Sequence, residues 1–156
     1  MNKIIIIVFF TITTMLSSSI SAEDRFSLGA GVGLSYTGLG LNLAQQSDKD
    51  LTYISAGCIS YSSLNGSTCG FGLGWITTRF FDGNPKHALG AYYGVIGTDR
   101  SFLEDKAVHG LGVGYYYFFN GIDKQGTNIG ISLVSGTLSD SSNSGNAIIL
   151  QLGYQF

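Results

Sequence analysis

The chain is poor in charged residues, in proline and in cysteine. Only 12% of its 156 residues are Asp, Glu, Lys or Arg, about half the share usual in soluble proteins, and it has one proline and two cysteines. Its 8 basic residues form no cluster and its formal net charge is −2, which excludes the basic face that nucleic-acid binding requires. We therefore expect no nucleic-acid partner.

Beyond residue 22 the sequence also lacks any apolar run long enough for a membrane-spanning helix, which takes about 20 residues. The one long apolar stretch, residues 4–16, follows a basic residue and precedes small residues that end at Ala22, which is the arrangement of a cleaved secretion signal. We predict residues 1–22 as a signal peptide and residues 23–156 as a single domain. Any membrane crossing by that domain must be made by β-strands.

What the sequence has in abundance is glycine, with 23 residues, often at every second position of an apolar segment. Residues 26–36 read F-S-L-G-A-G-V-G-L-S-Y, and residues 70–75 read G-F-G-L-G-W. Strand side chains alternate between two sides, so each such segment has one apolar face and one face of Gly and Ser. The pattern predicts eight strands, near residues 26–36, 39–43, 51–61, 69–79, 88–97, 108–119, 127–135 and 147–156.

The bare glycine face indicates which side of the strands meets the surroundings. A soluble barrel would turn its apolar face inward and carry Lys, Glu and Thr outside, whereas here nearly all charged residues fall in the connections. With the apolar face toward lipid and the small residues around a narrow interior, strands of about ten residues suit a bilayer. We therefore predict an all-β fold, an eight-stranded antiparallel up-and-down transmembrane β-barrel. Connections at residues 37–38, 62–68, 98–106 and 136–146 would lie at its outer end.

The last ten residues, A-I-I-L-Q-L-G-Y-Q-F, form a strand pattern that stops on Phe156, with Leu152 and Tyr154 on the same face. Bacterial outer-membrane β-barrels end in such a strand, and the mature chain resembles the eight-stranded OmpA-type and OmpX-type family in pattern. The resemblance implies a place in the outer membrane of a Gram-negative bacterium, in contact with membrane lipid and lipopolysaccharide. It also implies insertion by the outer-membrane assembly machinery, with Leu152, Tyr154 and Phe156 as the assembly signal. The family's roles are structural or surface-interacting: envelope integrity, adhesion, or contact with an external protein or phage ligand.

The two cysteines, Cys58 and Cys69, allow a single pairing, and the periplasm that an exported chain enters is oxidising. A hairpin turn centred on Ser63–Leu64 would place them opposite each other, whereas a turn centred on Asn65–Gly66 would not. The residues favour a disulfide that acts as a staple and takes no part in redox chemistry. The alternative is two small buried thiols.

The alternating glycines leave two interpretations of the barrel interior. A nucleotide cradle is not one of them, because it needs a strand-to-helix turn. The glycines make room for inward aromatics such as Tyr92, Tyr116 and Phe118, or they leave a cavity for one acyl chain, since eight strands enclose little space. The packed interior is favoured, and a narrow pore is kept as an alternative.

The candidate catalytic set is His109 with Ser101 and Glu104, which the predicted topology places near the outer rim. A Ser–His–acid set suits acyl transfer, and it loosely resembles the outer-membrane lipid A deacylases and palmitoyltransferases. The deacylases carry a serine two residues after their histidine, where this chain has Leu111. A role without catalysis is therefore favoured over a lipid A-modifying acyl hydrolase or acyltransferase. Two histidines and two distant cysteines offer no metal-ligand spacing, so no metal or cofactor is expected.

Overall fold

A computed structural model of the chain describes residues 25–62, 66–82, 84–100, 105–137 and 144–156. The predicted signal peptide, residues 1–22, lies outside them. Within this part of the chain, no helix has the length and apolar character needed to cross a membrane. A 3-10 helix, Leu34–Tyr36, lies between the first two strands. The strands are β1 Arg25–Gly33, β2 Gly38–Gln46, β3 Asp50–Ser62, β4 Gly66–Thr77, β5 His87–Arg100, β6 Asp105–Phe118, β7 Gly126–Thr137 and β8 Ser144–Gln155.

Each strand pairs in antiparallel fashion with the next, and β8 pairs with β1, so the eight strands close into a barrel. The predicted all-β, up-and-down antiparallel fold is therefore confirmed. The length over which neighbouring strands pair varies around the barrel. β7 and β8 pair along twelve residue positions, whereas β1 and β8 pair along only four, from Gly29 opposite Gln155 to Val32 opposite Leu152.

The two ends of the barrel differ in what they carry. One end, which we name the tongue end, has the connections at residues 34–37, 63–65, 101–104 and 138–143. The other end, named the terminal end, has the connections at residues 47–49, 78–86 and 119–125, together with Arg25 and Phe156.

The apolar alternation faces outward, as the sequence predicts. The side chains of Phe71 and Leu111 are 78% and 66% exposed, whereas the adjacent Gly72 and Gly112 are buried inside. Every strand exposes at least one large apolar side chain, so the outer wall is a continuous apolar belt. The inward positions include polar side chains without charge, among them Ser27, Asn42, Gln46, Ser55, Asn128, Ser132, Gln151 and Gln155.

Buried tyrosines fill the barrel against inward glycines. A Cβ added to Gly72 would lie 2.2 Å from the hydroxyl oxygen of Tyr92, and one added to Gly130 would lie 2.8 Å from the ring of Tyr116. Tyr92, Tyr116 and Phe118 are each at most 4% exposed, so the prediction that they occupy the interior is confirmed. Two further tyrosines do the same, Tyr36 against Gly153 and Tyr53 against Gly74.

The connection between β1 and β2 departs from the prediction. The sequence places Leu34 and Tyr36 on the outward face before a turn at Thr37–Gly38, but both side chains are inside the barrel, at most 2% exposed. The strand ends at Gly33, whose φ of 119° turns the chain into the lumen. Residues 34–37 then form a short insertion, which we name the tongue. The prediction of an outward turn was wrong because alternation indicates a face only while the strand remains in the wall.

Two predicted loops at the tongue end are partly strand. β5 continues to Arg100 and β6 begins at Asp105, with Thr98 opposite Ala107 and Asp99 opposite Lys106. β7 likewise reaches Thr137 and β8 begins at Ser144. The apolar pattern stops earlier than the backbone ladder because polar side chains are acceptable on a strand that has left the apolar belt. These two connections are therefore shorter than the sequence predicts.

Replacing Gly33 by alanine should destabilise the barrel, because φ is 119° and the added Cβ would lie 2.7 Å from Cα of Gln151. We expect the free energy of unfolding to fall by about 1–3 kcal/mol, measured by urea titration of the purified protein in detergent micelles. Gly97→Ala is the matched control, since the nearest atom to its added Cβ is 4.0 Å away. Equal destabilisation by the two substitutions would contradict the geometry of the tongue.

Candidate functional site

The first half of the tongue is held inside the barrel by strands distant in sequence. The backbone N–H of Ser35 donates to Oε1 of Gln151 on β8 at 3.0 Å. Nδ2 of Asn128 on β7 donates to the hydroxyl oxygen of Tyr36 at 2.9 Å, and Gln151 Nε2 donates to Oδ1 of the same asparagine at 3.0 Å. Two amides and one phenol therefore form a buried network in which each side chain positions the next.

The second half of the tongue is tied to the opposite wall. Oγ1 of Thr37 lies 2.6 Å from Oγ of Ser55 on β3 and 3.1 Å from the hydroxyl of Tyr92 on β5. Tyr92 in turn donates to the backbone carbonyl of Val95 at 3.0 Å. Thr37 is fully buried, so the tongue crosses the lumen and contacts both sides of the barrel.

The terminal end of the lumen is also closed. Gly121 has a φ of 101°, and this turn places Ile122 at 0% exposure beneath the barrel. The backbone N–H of Ile122 donates to the carbonyl of Pro85 at 2.8 Å, and Nε2 of Gln46 donates to the Ile122 carbonyl. The connection between β6 and β7 therefore forms a floor across this end of the barrel.

The lumen offers little for acid–base chemistry. Apart from the tyrosine hydroxyls, the buried polar side chains of the described residues are Ser, Thr, Asn and Gln, and none is Asp, Glu, His, Lys or Arg. Hydroxyls and amides bind and orient, but a proton-transfer step near neutral pH needs a group that titrates there. No three His, Cys, Asp or Glu side chains in the described part of the chain come close enough together to hold a metal ion.

The predicted catalytic set is only partly placed by the structure. His109 points outward from β6, in the same row as Leu111, and its side chain is exposed. It lies in an apolar groove of about 700 Å³ on the outer wall, beside Phe71 and Tyr93. Ser101 and Glu104 lie outside the described residues. Within the described part of the chain, His109 has no hydrogen-bond or ion-pair partner, so nothing there orients it as a base.

The second histidine belongs to an aromatic cluster at the terminal end. Nδ1 of His87 shares a hydrogen bond with the Tyr115 hydroxyl, and its ring lies 5.1 Å from that of Tyr117 and 5.8 Å from that of Phe81. The Tyr117 ring meets that of Phe119 edge-on at 5.2 Å. Rings with a polar tip gathered at the edge of an apolar belt are typical of a membrane–water boundary.

Two hairpins at the tongue end extend beyond the wall. In the β5–β6 hairpin, residues 95–100 and 105–109 pair with each other, because the β4–β5 ladder ends at Gly94 and the β6–β7 ladder ends at Gly110. The other hairpin is formed by β3 and β4. The β2–β3 ladder ends with Leu39 opposite Cys58, and the β4–β5 ladder begins only with Gly72 opposite Gly94. Residues 59–62 and 66–71, which we name the free hairpin, therefore pair with neither β2 nor β5 among the described residues. Residues 60–62 pair with residues 66–68, and residues 69–71 pair with residues 56–58 of β3. Both of its outer edges carry backbone N–H and C=O groups that lack a sheet partner.

A disulfide joins Cys58 and Cys69 at the base of the free hairpin. The two residues are direct partners in the β3–β4 register, with Cα atoms 3.8 Å apart. The two cysteines therefore lie opposite each other, as in the first of the two registers considered from the sequence. The disulfide lies where the pairing of β3 with β2 ends. A two-stranded ribbon is marginally stable by itself, so this is the position at which a covalent link stabilises it most.

The closing strand presents the predicted assembly residues on the outer wall. Leu152, Tyr154 and Phe156 are 55%, 41% and 54% exposed, and the rings of the last two lie 4.9 Å apart. The backbone N–H of Phe156 donates to the carbonyl of Leu28 at 2.8 Å. All three side chains therefore share one accessible row beside the β1–β8 seam.

Sequence reasoning missed the tongue and the free hairpin. The tongue had a partial signal, because the polar Ser35 and Thr37 interrupt the glycine face between two glycines that both adopt positive φ, Gly33 and Gly38. The hairpin had none, since no residue pattern indicates that the β4–β5 ladder ends at Gly72 and Gly94.

Removing the disulfide should loosen the free hairpin while the barrel stays folded. In the double variant Cys58→Ser/Cys69→Ser, we expect chymotrypsin to cut after Tyr61 or Leu64 at least several-fold faster than in the oxidised protein. The reason is that a two-stranded ribbon without a staple opens readily. Mass spectrometry of the fragments gives the rate at each site.

Cleavage after Phe102, in the connection between β5 and β6, is the internal control and should keep its rate. Unchanged heat-modifiable gel mobility would show that the barrel remains intact. Equal cleavage of the hairpin in both proteins would overturn its dependence on the disulfide.

Comparison of the chain with known protein-family models, with curated proteins and with solved structures finds no match. The interpretation of the site therefore depends on its own geometry. That geometry is a closed eight-stranded barrel with an apolar outer wall, a filled lumen and one covalently stapled hairpin beyond the wall.

Proposed function

We propose that this chain is a small outer-membrane barrel with a structural and surface-interaction role, in which the closed body is the anchor and the free hairpin is the contact element. The observation that carries the proposal is the inverted distribution of side chains. Large apolar residues such as Phe71 and Leu150 are more than 70% exposed, whereas glutamines and asparagines are buried. Soluble monomers rarely expose an apolar patch larger than a few hundred Å².

The height of the apolar belt supports a membrane position. On β6 the outward row runs from Leu111 to Phe119, which is about 20 Å of wall for a strand that rises ~3.4 Å per residue with a tilt of about 40°. That is close to the ~25 Å apolar band of outer-membrane barrels. The aromatic cluster around His87 lies at the lower edge of this belt.

The backbone pairing supports the same position. A backbone N–H or C=O without a partner costs several kcal/mol in hydrocarbon, so a membrane wall must be fully paired. The largest pairing gaps lie at the tongue end, above Gly72 and Gly94, on both edges of the free hairpin, and along β8 before Leu152. At the terminal end, residues 25–28 of β1 lie outside the β1–β8 ladder. These edges are acceptable in water or among lipid headgroups. The tongue end is therefore the end that we assign to the cell exterior, with the terminal end in the periplasm.

The free hairpin suits contact with an external partner. It extends past the ladders on both sides, and its unpaired edges offer the backbone groups to which an extended segment of another protein adds as a strand. The disulfide keeps the two strands in register and so reduces the ordering cost of such binding. An external protein or a phage component is the partner class that this geometry favours.

The two alternatives have less support. A pore needs a water-filled path, but the tongue and the Ile122 floor fill the lumen of the described part of the chain. A lipid A-modifying enzyme needs an oriented base, but His109 has no described partner, and Leu111 follows it in the outward row. The membrane anchor is therefore the function that the geometry favours, and insertion by the assembly machinery through Leu152, Tyr154 and Phe156 is part of the proposal.

A charge placed on the belt discriminates a membrane barrel from a soluble one. Ile131→Arg should lower the stability of the protein folded in phospholipid vesicles by about 2–4 kcal/mol, the usual cost of Arg near the bilayer midplane. In a water-soluble barrel the same exposed substitution would change stability by only about 0.5 kcal/mol or less. Urea titration with heat-modifiable gel mobility measures the difference.

Asn146→Arg is the matched control, because Asn146 is an exposed residue near the tongue end of β8, beyond the apolar row of Ile148, Leu150 and Leu152. We expect that control to leave vesicle stability unchanged. A mature chain that stays monomeric in water without detergent, or that tolerates Ile131→Arg in vesicles, would overturn the proposal. Discrete conductance steps from the wild-type protein in planar bilayers would instead favour the pore.

A further inference from the structure

The terminal end carries a cleft that neither the barrel fold nor the free hairpin explains. Its volume is about 800 Å³, and it opens where the outer wall meets the floor of the barrel. Three cationic residues line it: Arg25 at the start of β1, Lys86 before β5, and Lys124 in the connection between β6 and β7. Asp123 is the acidic side chain among its lining residues. The cleft therefore has a net positive lining in a chain whose net charge is −2.

The cations of the cleft are available to a ligand. The ion pair that the structure describes joins Arg79 to Asp50 elsewhere at the same end. Within the described part of the chain, Arg25, Lys86 and Lys124 form no ion pair. Three positive charges in one concave site attract an anion more strongly than isolated surface lysines do, because low-dielectric walls focus their field.

The backbone beneath the cleft is held in place before any ligand arrives. The backbone N–H of Phe118 donates to the carbonyl of Lys86 at 2.8 Å, and that of Ile122 donates to the carbonyl of Pro85 at the same distance. Asn120 Nδ2 donates to the carbonyl of Gln125 at 2.9 Å. The segments that carry the two lysines are thus tied to the barrel and to the floor. A site whose backbone is already ordered loses less entropy when it binds.

The cleft also has an apolar wall on its outer side. Phe26, Phe119 and Phe156 line it, and their side chains are 71%, 47% and 54% exposed. They are continuous with the apolar belt, so a molecule in the cleft would meet cations on one side and phenyl rings on the other. That combination fits an anionic headgroup with an attached acyl chain.

We infer that the cleft binds one anionic phospholipid, with its phosphate among Arg25, Lys86 and Lys124 and its acyl chains along the three phenylalanines. The inference rests on the proposed membrane position, because only a barrel in a bilayer presents this cleft at the level of the headgroups. It adds to that function a specific lipid contact at the periplasmic end, opposite the free hairpin. A free phosphate would meet the cations but would leave the apolar wall unused.

The test uses the mature chain folded in neutral detergent micelles and titrated with short-chain phosphatidylglycerol, with phosphatidylcholine of the same chain length, and with inorganic phosphate. Native mass spectrometry counts the bound molecules and gives the dissociation constants. We expect phosphatidylglycerol to bind about tenfold more tightly than phosphatidylcholine, and more tightly than phosphate. The double variant Lys86→Gln/Lys124→Gln should lose that preference.

The matched control is Lys49→Gln/Lys106→Gln, which removes the same charge from positions outside the cleft and should keep the preference. Equal binding of the two lipids, or an equal loss in the control, overturns the inference. Phosphate binding as tight as that of phosphatidylglycerol overturns its lipid part and leaves a plain anion site. Heat-modifiable mobility is read on each sample: a chain that never folds in micelles refutes the membrane function, whereas a folded chain without lipid preference refutes only the cleft.

Discussion

An eight-stranded barrel encloses a small and nearly constant volume, and the need to fill that volume governs most of this structure. Glycines on the inward face remove side-chain bulk from the wall, and the rings of Tyr36, Tyr53, Tyr92 and Tyr116 occupy the space that they leave. The lumen still has to accommodate phenol and amide groups, which are costly to bury without hydrogen bonds. The tongue meets that need by bringing backbone and hydroxyl partners to the centre of the barrel.

The need to fill the lumen also explains why the two faces of every strand carry different side chains. Because the lumen is filled by tyrosine rings, uncharged polar groups and a few aliphatic side chains such as Leu34, Leu51 and Ile76, most aliphatic side chains have no interior to enter and remain on the outer wall. A water-soluble version of this fold would need to exchange the two faces, and the inward glycines would then face solvent with nothing to pack. The outward belt and the polar lumen are therefore two consequences of a single arrangement.

Much of the fold could be predicted from the sequence, because period-two alternation directly reports which face of a strand a residue occupies. The rows Phe71–Leu73–Trp75 and Leu111–Val113 lie outward as expected, and Tyr92 and Tyr116 lie inward.

Alternation does not report where a strand leaves the wall: Leu34 and Tyr36 keep the parity of β1 but turn inside after Gly33. Bulges such as the one between Cys58 and Ser60 shift register without changing composition, so the extent of the free hairpin was beyond prediction. The lysines of the cleft gave no signal either, since they are far apart in sequence and meet only through closure of the barrel.

Closure itself depends on the shortest ladder of the wall. The seam between β1 and β8 has four residue pairs and joins positions that are more than 110 residues apart, so it combines the greatest loop-closure entropy with the fewest backbone bonds. The tongue begins where β1 ends and bonds directly to Gln151 of β8. It therefore acts as an internal latch, which fastens the first and last strands across the joint where the cylinder would otherwise come apart most easily.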